Sequence, residues 1–197
     1  VVKEIEVARN NRTVDRDERV ESLLDAAEQA FLDSGYTSTT MAQIAREAGV
    51  TGPNLYWYFG SKDGALAAVQ RRVQERVMER VASTETNAMA RLELYLEIMR
   101  AEARPLHRML HERASHSDAV AEVLDDVHSA IEGLISDAVR ERNAMFDETE
   151  TVLALAMATI EGTNAVMSPE HSSRLLQFAI ERTVPARDGS GDTDHAG

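Results

Sequence analysis

The chain has 197 residues, with 21 Lys and Arg against 34 Asp and Glu, a net charge of −13, and no cysteine. Disulfides, thiol redox sensing and cysteine-ligated zinc are therefore excluded, and the acid surplus argues against nonspecific coating of nucleic acid. Residues 1–62 hold 7 basic and 10 acidic side chains and residues 63–197 hold 14 and 24, so any contact with DNA must rest on a local patch.

Residues 1–14 show no sustained period and read as a flexible arm, in which Arg9 and Arg12 either touch DNA or are simply solvated. The arm lacks the long apolar run of a secretory signal. Asp15 and Glu18 have capping-box spacing, and Val20, Leu23, Leu24, Ala27, Ala30 and Phe31 give the helix that follows an apolar stripe. Gly35 ends it, and Tyr36 is expected to pack beneath the next elements. Residues 38–62, STTMAQIAREAGVTGPNLYWYFGSK, then read as helix, tight turn, short helix and the start of another helix. Thr40 can cap the first helix with Gln43 three residues on, and Met41, Ile44, Ala45 and Ala48 share a face. Gly49 supplies the backbone freedom for the turn, and Val50 plugs it. Thr51 is placed to cap the second helix, with Pro53 in its first turn. Leu55 and Phe59 point inward. Neighbouring residues on a helix lie about 100° apart, so Tyr56, Trp57 and Tyr58 cannot all face one interior. An outward Trp on a short helix favours a binding surface over plain core. This is the pattern of a helix-turn-helix whose second helix enters a DNA major groove.

Ser61 can cap a helix over about 62–81, with Leu66, Val69, Val73 and Val77 inward and Arg71, Arg72, Arg76 and Arg80 around the rest. Met89, Leu92, Leu96 and Met99 form the next stripe. Pro105 opens a short helix with Leu106, Met109 and Leu110 inside. A long helix follows over about 117–142, its buried side marked by Val120, Val123, Leu124, Val127, Ile131, Leu134, Ile135 and Ala138. Asp147 and Glu150 cap a helix whose centre, VLALAMATI, is apolar all round and must be covered on more than one side. That run is far short of the ~20 residues of a membrane span. A soluble, cytoplasmic protein without membrane contact is the expectation. Ser168-Pro169-Glu170 stops and restarts the chain, and Leu175, Leu176, Ala179 and Ile180 stripe the last helix. Residues 185–197 are Gly- and Asp-rich and read as a disordered tail.

Thr39-Thr40-Met41-Ala42-Gln43-Ile44-Ala45, Gly49-Val50-Thr51, Leu55-Tyr56-Trp57-Tyr58-Phe59 and Ser61-Lys62-Asp63 together resemble the N-terminal domain of the tetracycline-repressor family, over roughly residues 16–80. The resemblance implies an all-α protein. Residues 15–61 would form a three-helix DNA-binding domain, 62–81 a linking helix, and 82–184 a helical domain for effector binding and dimerisation. It also implies a homodimer that sets two recognition helices in successive major grooves, about 34–36 Å apart, on a near-palindromic operator. The expected DNA-contact set is Thr39, Thr40, Gln43, Thr51, Gly52, Pro53, Asn54, Tyr56, Trp57, Tyr58 and Lys62. Within it Thr40, Thr51, Tyr56 and Lys62 mainly hold phosphates, and Pro53, Asn54 and Trp57 mainly touch base edges. Gly52 stands where many members carry a basic residue, so a contact from that position is missing. Pro53 stands where Gly is common and can offer an apolar face to a thymine methyl.

Two further surfaces are expected. The apolar surplus of the last two helices points to a dimer interface through Leu155, Ile160, Leu175, Leu176 and Ala179. Polar groups among apolar stripes, with adaptable methionines, make Tyr95, Met99, His107, Val127, His128 and Asn164 candidates for a small-molecule pocket. The same residues also suit a filled core. His107 and His111 are four apart, a spacing that can hold a metal but also occurs on ordinary polar faces; no metal or cofactor is expected. No phosphate-binding glycine loop, nucleophile elbow or H-E-x-x-H motif is present, so an enzyme is not expected. The competing reading is a helical carrier or enzyme that has lost DNA binding.

Overall fold

Residues 2–38 contain a single glycine, Gly35, and no proline, and the computed structural model forms one long helix there, α1 (Val2–Ser38), broken at Gly35 with φ 72° and ψ 168°. It describes residues 2–84, 87–144, 146, 149–164 and 169–186, with the side chains of 16–158 and 174–186 among these. The start at Val2 differs from the expected flexible arm over 1–14. Weak amphipathicity hid the helix, since nothing in that stretch breaks it and propensity alone continues the turn.

The elements that follow are α2 (Met41–Glu47), α3 (Gly52–Phe59), α4 (Lys62–Ala82) and α5 (Ala88–Ile98), then a π-helical turn, Met99–Ala103. After it come α6 (Arg104–Ala114), α7 (Asp118–Arg142), α8 (Thr149–Asn164) and α9 (Pro169–Thr183). The described residues are all helix, turn or loop, without a strand. None of their helices is long and apolar enough to cross a membrane. Asp147, Ser168 and the segment from 187 onward, for which caps and a tail are expected, lie outside the described residues.

The chain separates into two compact units, Val1–Arg76 with Glu102–Asp126, and Val77–Ala101 with Val127–Gly197. Sequence pattern places the division at the ends of the linking helix; instead α4 and α7 each contribute to both units. In the first unit α1 packs on α2 and α6, and α2 on α3. Its buried set includes Leu23, Ala27, Phe31, Ile44, Leu55, Leu66, Val69, Leu106 and Leu110. Arg72 of α4 is buried and gathers Glu21, Asp25 and Glu28 of α1, with Arg76 also reaching Glu28. Burial raises the Glu28 carboxyl, but its bonds to Arg76 and Arg72 outweigh this and hold it below the ordinary range. In the second unit α8 and α9 pack together and α9 meets α5. Leu92, Tyr95, Ile135, Leu176 and Ile180 are fully buried there. Glu141 accepts from the Ala88 backbone N–H at 2.5 Å, and Arg142 donates to the Val184 carbonyl.

Candidate nucleic-acid interface

The reading head is built from short-range rules. Thr40 is extended at φ −123°, and its Oγ1 accepts from the Gln43 backbone N–H at 3.1 Å, which satisfies one free N–H of α2. The reciprocal half of the expected box is absent: the Gln43 amide donates to Glu47 instead, at 3.1 Å. Gly49 has φ 66° and ends α2, a conformation an L side chain resists. Thr51 is the N-cap of α3, but its hydroxyl makes no capping bond. That hydroxyl is exposed beside a helix N-terminus, a place suited to an anion. Pro53 lies in the first turn, exposed. Leu55 is fully buried and anchors α3, while Tyr56 and Trp57 are 52% and 69% exposed. Tyr58 and Asn54 are half-buried. The Tyr58 ring meets Trp57 edge-on at 4.8 Å, and the Arg16 guanidinium lies 5.8 Å from the Trp57 ring centre. Gly60, with φ 69°, ends α3.

The head of α4 locks this unit. Ser61 Oγ accepts from the Gly64 backbone N–H at 3.0 Å. A Cβ on Gly64 would lie 2.0 Å from the Phe59 carbonyl oxygen, so the end of α3 rests directly on the first turn of α4. Asp63 accepts from Arg113 of α6 at 3.1 and 3.0 Å, and from the Tyr36 hydroxyl at 2.5 Å. Burial raises the Asp63 carboxyl, yet the Arg113 and Tyr36 hydrogen bonds and the nearby Arg113 and Lys62 charges hold it below the usual range. Burial and the bond to Asp63 push the Tyr36 phenol up to about 12. The Lys62 ammonium donates to the Tyr36 and Thr39 carbonyls at 2.8 and 2.9 Å, and sits 4.1 Å from the Tyr36 ring centre. Burial is the main cause that pulls it below its ordinary value.

The structure sorts the expected contact residues. Thr40, Thr51, Pro53, Tyr56 and Trp57 are exposed, and Gln43, Gly52, Asn54 and Tyr58 are partly so. Thr39 is corrected: it is fully buried and its hydroxyl bonds the Ala30 and Gly35 carbonyls, closing the end of α1. Two of the three Lys62 donors are taken by carbonyls, which leaves one for an outside partner. Arg16 and Arg46 were not in the expected set. Arg46 is exposed and off the buried face of α2, a signal available in the sequence; Arg16 had none, because only tertiary packing brings α1 to Trp57.

The expected effector residues divide. Tyr95 and Val127 are buried and Met99 and His128 half-buried, all in the second unit, with Met99 opening the π turn; His107 belongs to the first unit. The side chains of Asn164 and Ile160 lie outside the described residues. The second unit also has an open groove of about 410 Å³, bordered by Asn87, Met89, Glu93, Glu141, Arg142 and Glu181, none of them in the expected set. Of the expected dimer residues, Leu155 and Leu175 are 45% and 41% exposed and Ala179 is half-buried. Leu176 is corrected: it is 1% exposed, filled in by its own chain. Phe178, 55% exposed, joins the outward set.

Residues 23–69 match the family described as bacterial regulatory proteins, tetR family. The chain is 48% identical over 66 residues to the HTH-type transcriptional activator FasR of Mycolicibacterium smegmatis, covering 33% of this chain and 30% of that one. It is 27% identical over 135 residues to the HTH-type transcriptional regulator TtgR of Pseudomonas putida, 60% of this chain and 64% of that one. The alignments thus span less than two thirds of either relative. Among solved structures, a transcriptional regulator from Saccharomonospora viridis in complex with choline superposes with a TM-score of 0.71 at 17% identity, covering 87% of this chain and all of that one. A transcriptional regulator from a Rhodococcus species superposes at 0.65 with 22% identity, covering 83% and 94%. These likenesses carry the fold: a helix-turn-helix domain followed by helices.

Proposed function

Because the chain belongs to the tetR family of bacterial regulatory proteins, we propose that it is a DNA-binding transcriptional regulator, a cytoplasmic homodimer that leaves its operator when a small molecule binds. One observation carries the DNA reading: Tyr56 and Trp57 stand exposed on a short helix anchored by a fully buried Leu55, with the Thr51 hydroxyl at its N-terminus making no capping bond. Thr40, Thr51, Tyr56 and one Lys62 proton hold phosphates, with Arg46 added to them. Pro53, Asn54 and Trp57 meet base edges, and Gln43 serves either role. One short helix contacts too little DNA for specificity, so two are needed, on a near-palindrome. Leu155, Leu175 and Phe178, large and exposed on α8 and α9, supply the second copy's seat. A dimer seated on a promoter blocks it by occupancy alone, so repression needs no further contact; activation, the role FasR is named for, needs one.

The effector site we assign to the second unit, near Tyr95, Met99 and Val127. A π turn is rare and is frequently found at functional sites, and Met99 opens one here. The complex of the similar Saccharomonospora viridis regulator with choline supports a small organic molecule as the ligand class. Release follows if the effector prefers a conformation whose two recognition helices no longer fit the operator spacing. Selection of random duplexes by the purified chain at moderate salt tests the reading. An inverted repeat should emerge, with half-sites about one helical turn apart. Recovery of unrelated sequences would sink the operator proposal.

A further inference from the structure

Spacing alone leaves His107 and His111 open between a polar face and a ligand pair. The geometry of α6 narrows the choice. Their Nε2 atoms converge to 3.0 Å. The rings are 4.5 Å apart and nearly perpendicular, at 88°, so they do not stack. Imidazole nitrogens ligate zinc at about 2.0–2.1 Å, and two such ligands 3.0 Å apart subtend about 94° at the ion. That is close to the angle between adjacent ligands of an octahedral or square-planar ion, and a few tenths of an ångström short of tetrahedral.

We propose that His107 and His111 form a two-histidine chelate for a late first-row dication such as zinc, nickel or copper, the class imidazole suits. The two Nε2 atoms lie close enough to share one ion, while the Nδ1 of His107 is buried in the protein. His111 is exposed and His107 half-buried, so an ion has a path from solvent. Charged neighbours on the same helix include Arg108, which faces Glu112 at 3.8 Å, and Arg113, which is bound to Asp63. Bound there, the ion staples one turn of α6 just before Arg113, the residue that grips the head of α4. Water or other groups complete its coordination. The competing description is a neutral imidazole–imidazole hydrogen bond, which needs no metal.

Calorimetric titration of zinc chloride and nickel chloride into the metal-stripped full chain decides between them, and needs no DNA. One ion per chain should bind. His107→Gln and His111→Gln should each weaken it by more than about tenfold, the lower end of what removing even a supporting group costs a metal site. His116→Gln, an exposed neighbour bonded to Ser115, should leave it unchanged. Zinc should also shift the His107 and His111 Nε2 resonances together in long-range ¹H–¹⁵N spectra. If His107→Gln does not fold, the exposed His111→Gln still answers. Absence of binding up to millimolar metal, or equal affinity in wild type and His111→Gln, overturns the proposal.

Discussion

Asp63 ties three segments of the first unit together at one carboxylate: Tyr36 after the break in α1, its own α4, and Arg113 of α6. Its folded-state pKa is depressed, as is that of Glu28. The unfolded state therefore binds more protons on acidification. The stability these groups contribute is present above about pH 4 and is lost as pH falls through their folded values. Urea midpoints measured from pH 7 down to 3 should drop, and Asp63→Asn should flatten part of that slope. Tyr36 has the opposite sign: its pKa is raised to about 12, so its contribution holds below about pH 10 and fades toward the folded value. One phenolate that ionises late, absent in Tyr36→Phe, should be visible by ultraviolet titration. Lys62→Ala removes two bonds to carbonyls and the one donor left for a phosphate, so it should destabilise the chain by about 1–2 kcal/mol and also lower the salt slope of DNA binding by about one. The same loss of stability with an unchanged slope would make Lys62 a residue of the fold alone. None of this network was legible in the sequence, since Asp63 and Arg113 are 50 positions apart and nothing local says that α6 returns to the head of α4.

At the scale of elements, the reading head was legible because its cues are short-range: a threonine cap at 40, a positive φ at Gly49, a single buried anchor at Leu55. Thr39 shows the limit. It neighbours the cap, but its hydroxyl serves carbonyls of α1, one of them nine residues back, that only the folded path brings near. Trp57→Ala should separate function from fold. At 69% exposed, its removal should move stability by no more than about 0.5 kcal/mol. Operator affinity should fall by about 1–3 kcal/mol, with preference relaxed at the contacted position. Gly64→Ala tests the joint between α3 and α4. Alanine gains about 1 kcal/mol of helix propensity over glycine, but its Cβ would sit 2.0 Å from a backbone oxygen that cannot swing away. Overpacking of about 1–3 kcal/mol should win, and operator binding should weaken although position 64 is not in the proposed contact set. A stabilised variant with normal binding would show that the joint relaxes freely.

For the whole molecule, the stripe on α9 was readable but its division was not: adjacent Leu175 and Leu176 have the same hydropathy, and only packing tells which one its own chain covers. That difference separates assembly from stability. Leu155→Glu or Phe178→Glu should yield folded monomers by sedimentation, with operator binding lost. Leu176→Glu places a charge in the core and should unfold the second unit. Wild-type chain that sediments as a monomer at micromolar concentration yet binds an inverted repeat tightly would remove the dimer from the proposal. The coupling of effector to operator is reciprocal by linkage. Effector titrated with and without operator should lose affinity by the factor that it takes from DNA binding.

Gly64 also bears on how this chain can vary. Every one of the other amino acids carries a Cβ, so each substitution at that position meets the same carbonyl oxygen of Phe59. Drift there has no neutral first step. A lineage can leave glycine at 64 only after the turn at Gly60 and Ser61 has been rebuilt, whereas Arg71, two turns further along α4, meets no backbone and pairs with Glu122 at the surface. The order in which mutations become tolerable is thus written into a single close approach between two backbones.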